Sequence, residues 1–177
     1  MKKLFIPLFA TVLLLSSAAY VATVQEYKIK EGYSIEFKSK DPSGDFNVKG
    51  SISFDENDLE NSKFNLLFPV SSIKTGNAMK DKKAQTSEWF NAAKYPNVEF
   101  VSTKIEKNGN DYMVYGKLSM KGVTKDKKVP LNVSKSGGNL VFTGSFSLNR
   151  MDYKVGKPSD AVPNIMNINY SIPVIKK

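Results

Sequence analysis

The sequence predicts an all-β fold: an eight-stranded antiparallel β-barrel carrying one short helix in an insertion at 71–97. Three observations predict it. Apolar residues recur at every second position in eight separate runs, turn-forming residues stand between many of them, and one long interruption breaks the series. Period two puts one face of each strand in a core and the other in water, which is the antiparallel pattern. A closed barrel leaves no sheet edge free to pair with another chain. A two-sheet sandwich is the alternative, and periodicity alone does not separate the two.

The first segment stands apart from this pattern. Lys2 and Lys3 precede an apolar run from Leu4 to Leu15, and Ser16, Ser17, Ala18 and Ala19 follow. That is the layout of a secretory signal peptide. Cleavage after Ala19 fits best, with Ala22 as the second choice, giving a signal at 1–19 and one domain at 20–177. An uncleaved membrane anchor is the competing reading. The apolar core falls short of the roughly 20 residues that span a bilayer, and Pro7 interrupts it. The expected destination is the periplasm or the outside of the cell.

The strands follow in order. Tyr27, Ile29, Tyr33, Ile35 and Phe37 alternate with polar residues, as do Phe46, Val48, Gly50, Ile52 and Phe54. Phe64 to Val70 makes the third strand. Val98 to Ile105 makes the fourth, with apolar residues on both faces that suggest a covered outer side. Tyr112 to Met120, Val129 to Val133, Leu140 to Leu148 and Ile168 to Val174 complete the set. Asn108-Gly109-Asn110 and Gly137-Gly138-Asn139 read as tight hairpins. Gly50, Gly116 and Gly144 fall at core-facing positions in mid-strand, either to let a strand bend or to leave room for something lying against the sheet.

Two links are long. In the 71–97 insertion, Asn77 suits the N-cap of a short helix whose centre, Lys80 to Lys83, is charged. Trp89 and Phe90 could then roof one mouth of the barrel, or simply cap the core. The link from Met151 to Asn164 has no periodicity and could border the entrance.

Composition excludes several kinds of chemistry. The chain has no histidine and no cysteine, which removes Cys-His and Ser-His-Asp catalysis, the usual zinc and copper ligands, and disulfides. Most carboxylates sit in turns, and Glu88 beside Trp89 is the one near an expected rim aromatic. No enzyme activity, metal or catalytic residue is expected. Net charge is +9, carried by lysines and a single arginine, Arg150. Nucleic-acid readers lean on arginine, so this charge reads as solubility and a mild attraction to anionic surfaces. No nucleic-acid partner is expected, and at most peripheral membrane contact. Arg150 and Asp152 lie two apart at a strand end, and an ion pair is the leading reading, with a ligand headgroup as the other.

Several segments, in order and spacing, resemble the YceI-like family of exported polyisoprenoid-binding proteins. They are Phe46-x-Val48-x-Gly50-x-Ile52-x-Phe54-Asp55, Ser72-Ile73-Lys74-Thr75-Gly76, Thr86-Ser87-Glu88-Trp89-Phe90-Asn91 and Tyr95-Pro96-x-x-x-Phe100-x-Ser102. Gly116-x-Leu118-x-x-x-Gly122-Val123-Thr124 and Arg150-x-Asp152-Tyr153 complete the series. The resemblance implies a lipocalin-like barrel around an apolar tunnel that carries an isoprenoid quinone, a polyprenyl lipid or another amphiphile. It makes Ile73, Trp89, Phe90, Phe100, Leu118 and Phe146 candidates for the tunnel wall or mouth, and Arg150 and Asp152 for its rim. Phe46 and Phe142, on the inward rows, join the expected ligand-binding set. Where the family often carries histidine, this chain has Tyr33, Lys83 and Lys121, so lysines could meet an anionic headgroup instead. A homodimer is the other partner expected. The alternative function is a secreted stress-response or interaction module in which the barrel is only scaffold.

Overall fold

The structure, a computed structural model, describes residues 24–158 and 161–177. The expected signal segment lies outside them. Ten strand segments occur: β1 (Glu26–Ile29), β2 (Ser34–Lys38), β3 (Gly44–Asp45), β4 (Lys49–Ser53), β5 (Lys63–Pro69), β6 (Asn97–Asn108), β7 (Asp111–Met120), β8 (Val123–Ser136), β9 (Asn139–Asn149) and β10 (Ile165–Lys176). Every pairing is antiparallel, and the sheet closes because β1 pairs with both β4 and β10. The segments form eight staves, since β1 and β2 lie end to end along β10 while β3 and β4 form the next stave. The result is the closed eight-stranded barrel, not the sandwich.

The first run was expected to be one strand and is broken. Gly32, at φ +88°, turns the chain between β1 and β2, and Lys30 N donates to Pro173 O at the break. Three two-residue turns join β6 to β7, β7 to β8 and β8 to β9, at Gly109-Asn110, Lys121-Gly122 and Gly137-Gly138. The middle one has positive φ at both residues but carries Lys-Gly, where the other two open on glycine as Gly-Asn and Gly-Gly.

The outer cover expected over β6 is absent among the described residues. Val98, Phe100 and Ser102 point inward, then the register slips between Ser102 and Lys104 and Ile105 becomes the buried residue. The extra residue of this bulge shifts the parity. Apolar residues therefore fall on both parities of the sequence but on one face of the sheet. Val101, left on the outer face, is 45% exposed.

The mid-strand glycines divide. Gly50 is exposed, contrary to expectation, and a Cβ there would sit 2.0 Å from the Asn65 carbonyl oxygen. It permits close backbone approach to β5. Gly116 and Gly144 do leave room for something, and it is the protein's own rings. A Cβ at Gly116 would lie 2.6 Å from the Phe100 ring, and one at Gly144 would lie 2.4 Å from the Tyr170 hydroxyl.

Aromatic packing fills one end of the barrel. Phe142 is fully buried and meets Tyr27, Phe54 and Phe64 edge-on, with centroids 6.3, 5.4 and 5.2 Å away. Tyr112 adds another edge-on contact to Phe54 at 5.3 Å. Edge-to-face geometry places positive ring edges on negative faces, which stabilises such a plug beyond the area it buries.

Candidate functional site

Away from the plug the barrel is hollow. An inner cavity of about 130 Å³ is lined entirely by aliphatic, aromatic and methionine side chains, from Phe64 and Phe142 at the plug to Phe46 and Met120 further up. A second cavity of about 300 Å³ adjoins it, sharing Phe46, Met120, Leu148 and Ile168. That volume reaches the lower end of the range of ligand pockets, about 300–1,000 Å³. The one hydroxyl among its lining residues, that of Tyr170, is already bonded to the Pro130 carbonyl, and apolar cavities of this kind stay dry.

The mouth is roofed by the two long links. Helix α1 (Ala78–Ala84) begins where the sequence places it, with Asn77 Oδ1 accepting from Met79 N and Lys80 N at 2.9 and 3.2 Å. Asp81 anchors it by accepting from Thr75 N and Oγ1 at 2.8 and 2.6 Å. Ala84 is the buried residue of the helix, and Trp89 and Phe90 follow it into the mouth. Phe90 packs edge-on against Phe46 at 5.9 Å.

Arg150 holds the other link. The sequence suggested an ion pair with Asp152, and the structure replaces it. Residues Arg150–Tyr153 form a 3₁₀ turn capped by the Asn149 side chain, so the two side chains do not share a strand face. Arg150 is 2% exposed and donates to four carbonyls: Pro163 through Nε at 3.1 Å, Val155 through Nη1 at 2.7 Å, and Lys157 and Val162 through Nη2, both at 2.9 Å. The planar guanidinium fork suits this use, and its face lies 5.5 Å from the Trp89 ring. Burial lowers its pKa. Asp152 is exposed, lines neither cavity and approaches Lys125 at 3.9 Å.

The two links are also tied together. Lys121 Nζ donates to Glu88 O and Lys154 O at 2.6 and 2.7 Å, and Gly156 N donates to Glu88 O at 3.1 Å. Burial lowers the Lys121 pKa. Lys80 pairs with Asp41 across the mouth at 2.6 Å, and Lys83 lies 5.9 Å from the Trp89 ring. Trp89 Nε1 is buried and has no hydrogen-bond partner among the described residues.

Of the residues singled out from sequence, Phe100, Leu118, Phe142 and Phe146 line the inner cavity. Ile73, Trp89, Phe90 and Arg150 line the mouth, and Phe46 lines both. Sequence reasoning missed Tyr170, Met120 and Leu148, although all three sit on inward rows that the alternation identifies. Val155 and Val162 come from the link without periodicity, and nothing local marks them. Glu88 is exposed and 3.9 Å from Lys157. Among the described residues, no group of three or more His, Cys, Asp or Glu is placed to hold a metal ion, and no helix is long and apolar enough to cross a membrane.

A closed barrel with an aromatic plug at one end and a lidded apolar bore at the other is a lipocalin-like architecture. The chain belongs to the YceI-like family, whose YceI-like domain matches residues 23–174. A UPF0312 protein of Pectobacterium atrosepticum is 34% identical over 146 residues, covering 77% of this chain and 75% of its own. One from Yersinia enterocolitica is 36% identical over 127 residues, covering 67% and 66%. Burkholderia cenocepacia BcnA has a similar crystal structure, with 25% identity, a TM-score of 0.75, and coverage of 81% of this chain and 96% of that one. The fold also matches a polyisoprenoid binding domain from Saccharophagus degradans, at 13% identity and a TM-score of 0.65, covering 87% and 99%.

Proposed function

We propose that this chain binds the apolar chain of an isoprenoid, or of another long-chain amphiphile, in its bore, without catalysing a reaction on it. The observation that carries this reading is the pair of adjoining cavities, the inner one wholly apolar, in a fold shared with a polyisoprenoid binding domain. Each methylene moved from water into such a bore contributes about 0.8 kcal/mol. About fifteen carbons then supply micromolar affinity after the cost of association. No reacting side chain is needed. An isoprenoid quinone or a polyprenyl lipid fits this chemistry, and the proposed place of action is the periplasm or the medium outside the cell.

The test is extraction of natively purified protein with organic solvent, followed by mass spectrometry and by titration of the delipidated protein with a dansyl-labelled farnesyl probe. Recovery of an isoprenoid-type lipid and saturable probe binding are the expected results. A protein that yields no apolar molecule and takes up no probe overturns the reading.

A further inference from the structure

One seam of the barrel wall has a long stretch without ladder pairing. Strands β8 and β9 pair only from Ser136↔Asn139 to Asn132↔Thr143, although β8 continues back to Val123 and β9 on to Asn149. Over that stretch β8 pairs only with β7, through nine residues, and β9 only with β10. A slit in the hydrogen-bond ladder thus runs from mid-wall to the lidded mouth.

Its plug-side limit has a local cause. In an antiparallel strand the N–H and C=O of one residue point to the same neighbour. The Pro130 carbonyl points toward β9, where it accepts from the Tyr170 hydroxyl, so the donor that proline lacks is missing on that side. Tyr170 reaches this carbonyl across Gly144, and its phenol takes the place of the next ladder bond.

Side chains close the rest of the slit. Inward positions on β8 face Tyr112, Val114, Gly116, Leu118 and Met120 of β7, and two of them are Lys127, opposite Gly116, and Lys125, opposite Leu118. Lysines are unexpected at inward positions of an apolar wall. Lys127 Nζ lies 5.1 Å from the centroid of the half-buried Phe146 ring and donates to Ser147 O at 2.5 Å. Burial lowers its pKa. Phe146 lines the inner cavity, so one ring and one lysine stem stand there between the bore and solvent. A lysine stem can cover apolar surface while its ammonium stays at the water boundary. Swinging it aside breaks one hydrogen bond, and both partners regain water.

We propose that the β8/β9 seam is a side port, latched by Lys127, through which the apolar chain of an amphiphile passes into the bore from the flank while the lid stays in place. The proposal rests on the binding reading above. A slit continuous with the mouth lets a chain slide in lengthwise, its headgroup travelling along the slit outside the wall. Ladder hydrogen bonds need not break, because none span the seam.

The experiment uses the absence of native cysteine. Lys128→Cys and Ser147→Cys place thiols on the outer face of the two slit edges, to be joined after folding by a short cleavable bis-thiosulfonate reagent. Val101→Cys with Lys117→Cys, a paired position of β6 and β7, is the control staple. Uptake of the dansyl-farnesyl probe is followed by energy transfer from Trp89, the chain's one tryptophan, in stopped flow. Joining the seam is expected to slow uptake at least tenfold, about 1.4 kcal/mol of barrier. Reduction should restore the rate, and the control staple should leave it unchanged. Lys127→Ala is expected to speed uptake and release together by about fivefold, as loss of one hydrogen bond implies. Equal uptake with the seam joined and open, in a barrel of unaltered circular dichroism, overturns the port alone. A protein that takes up no probe in either state overturns the binding reading and the port with it.

Discussion

The two ends of the barrel are built from the same alternating pattern and do opposite things with it. At the plugged end, Tyr27, Phe54, Phe64, Tyr112 and Phe142 lock edge to face and leave no bore. At the lidded end the inward rows thin to Met120, Leu148 and Ile168, and the gap is roofed by links that carry no alternation at all. One end is held by side-chain area and the other by hydrogen bonds to backbone carbonyls, chiefly from Arg150. Stability should therefore concentrate at the plug, and ligand exchange at the lid and seam.

The contrast can be broken most forcefully at Phe142. Phe142→Ala removes the ring on which the plug converges, and a loss of about 3–5 kcal/mol is expected in chemical denaturation. A loss under about 1 kcal/mol would mean that the plug collapses around the gap and is not the anchor described here. The lidded end answers to Arg150→Met, which keeps much of the stem and strands four carbonyls. A loss of about 2–3 kcal/mol is expected. Faster amide exchange should appear at Val155–Lys157 with little change at the plug. Uniformly faster exchange would show that the two ends are one cooperative unit.

A gentler test is Asn77→Ala. It removes the cap of α1 and should cost about 1 kcal/mol, confined to amide exchange of the lid helix. The smallest effect lies in alkaline pH. Burial raises the Tyr170 phenol well above its ordinary 10.0. Folded protein then keeps a proton that the unfolded chain releases, so this group's contribution is full below pH 10 and is lost as pH climbs beyond it. Tyr170→Phe should flatten the fall in the denaturation midpoint above pH 10, and an unchanged slope would remove Tyr170 as its source.

Much of this was legible in the sequence, for reasons that the individual positions explain. Alternation is a property of single strands, so the eight staves, the helix cap at Asn77 and the inward candidates could be read directly. Pairing between strands is not. The bulge at Thr103 makes Val101 look covered when it is exposed, and the unpaired flank of β8 is invisible because Lys125 and Lys127 read as ordinary polar residues. Arg150 was misread for a similar reason. A lone arginine two residues from an aspartate suggests an ion pair, but a 3₁₀ turn separates their faces, and the carbonyls that Arg150 takes come from a link without pattern. Tyr170 falls on the alternating row of the last run, and nothing in the pattern marks that its hydroxyl ends a ladder.

The pairing of ring with glycine has a consequence for how such a barrel can diversify. Phe100 over Gly116 and Tyr170 over Gly144 act as gauges: each sets the local width of the bore by how far one ring leans into it. The glycine half cannot change, since a Cβ there collides with the ring and also with backbone, lying 2.6 Å from Val101 O at Gly116 and 2.3 Å from Pro130 O at Gly144. The ring half alone can retune calibre while strand number and closure stay fixed. Relatives with the same eight staves could then accept thicker or thinner chains through exchanges at the two ring positions.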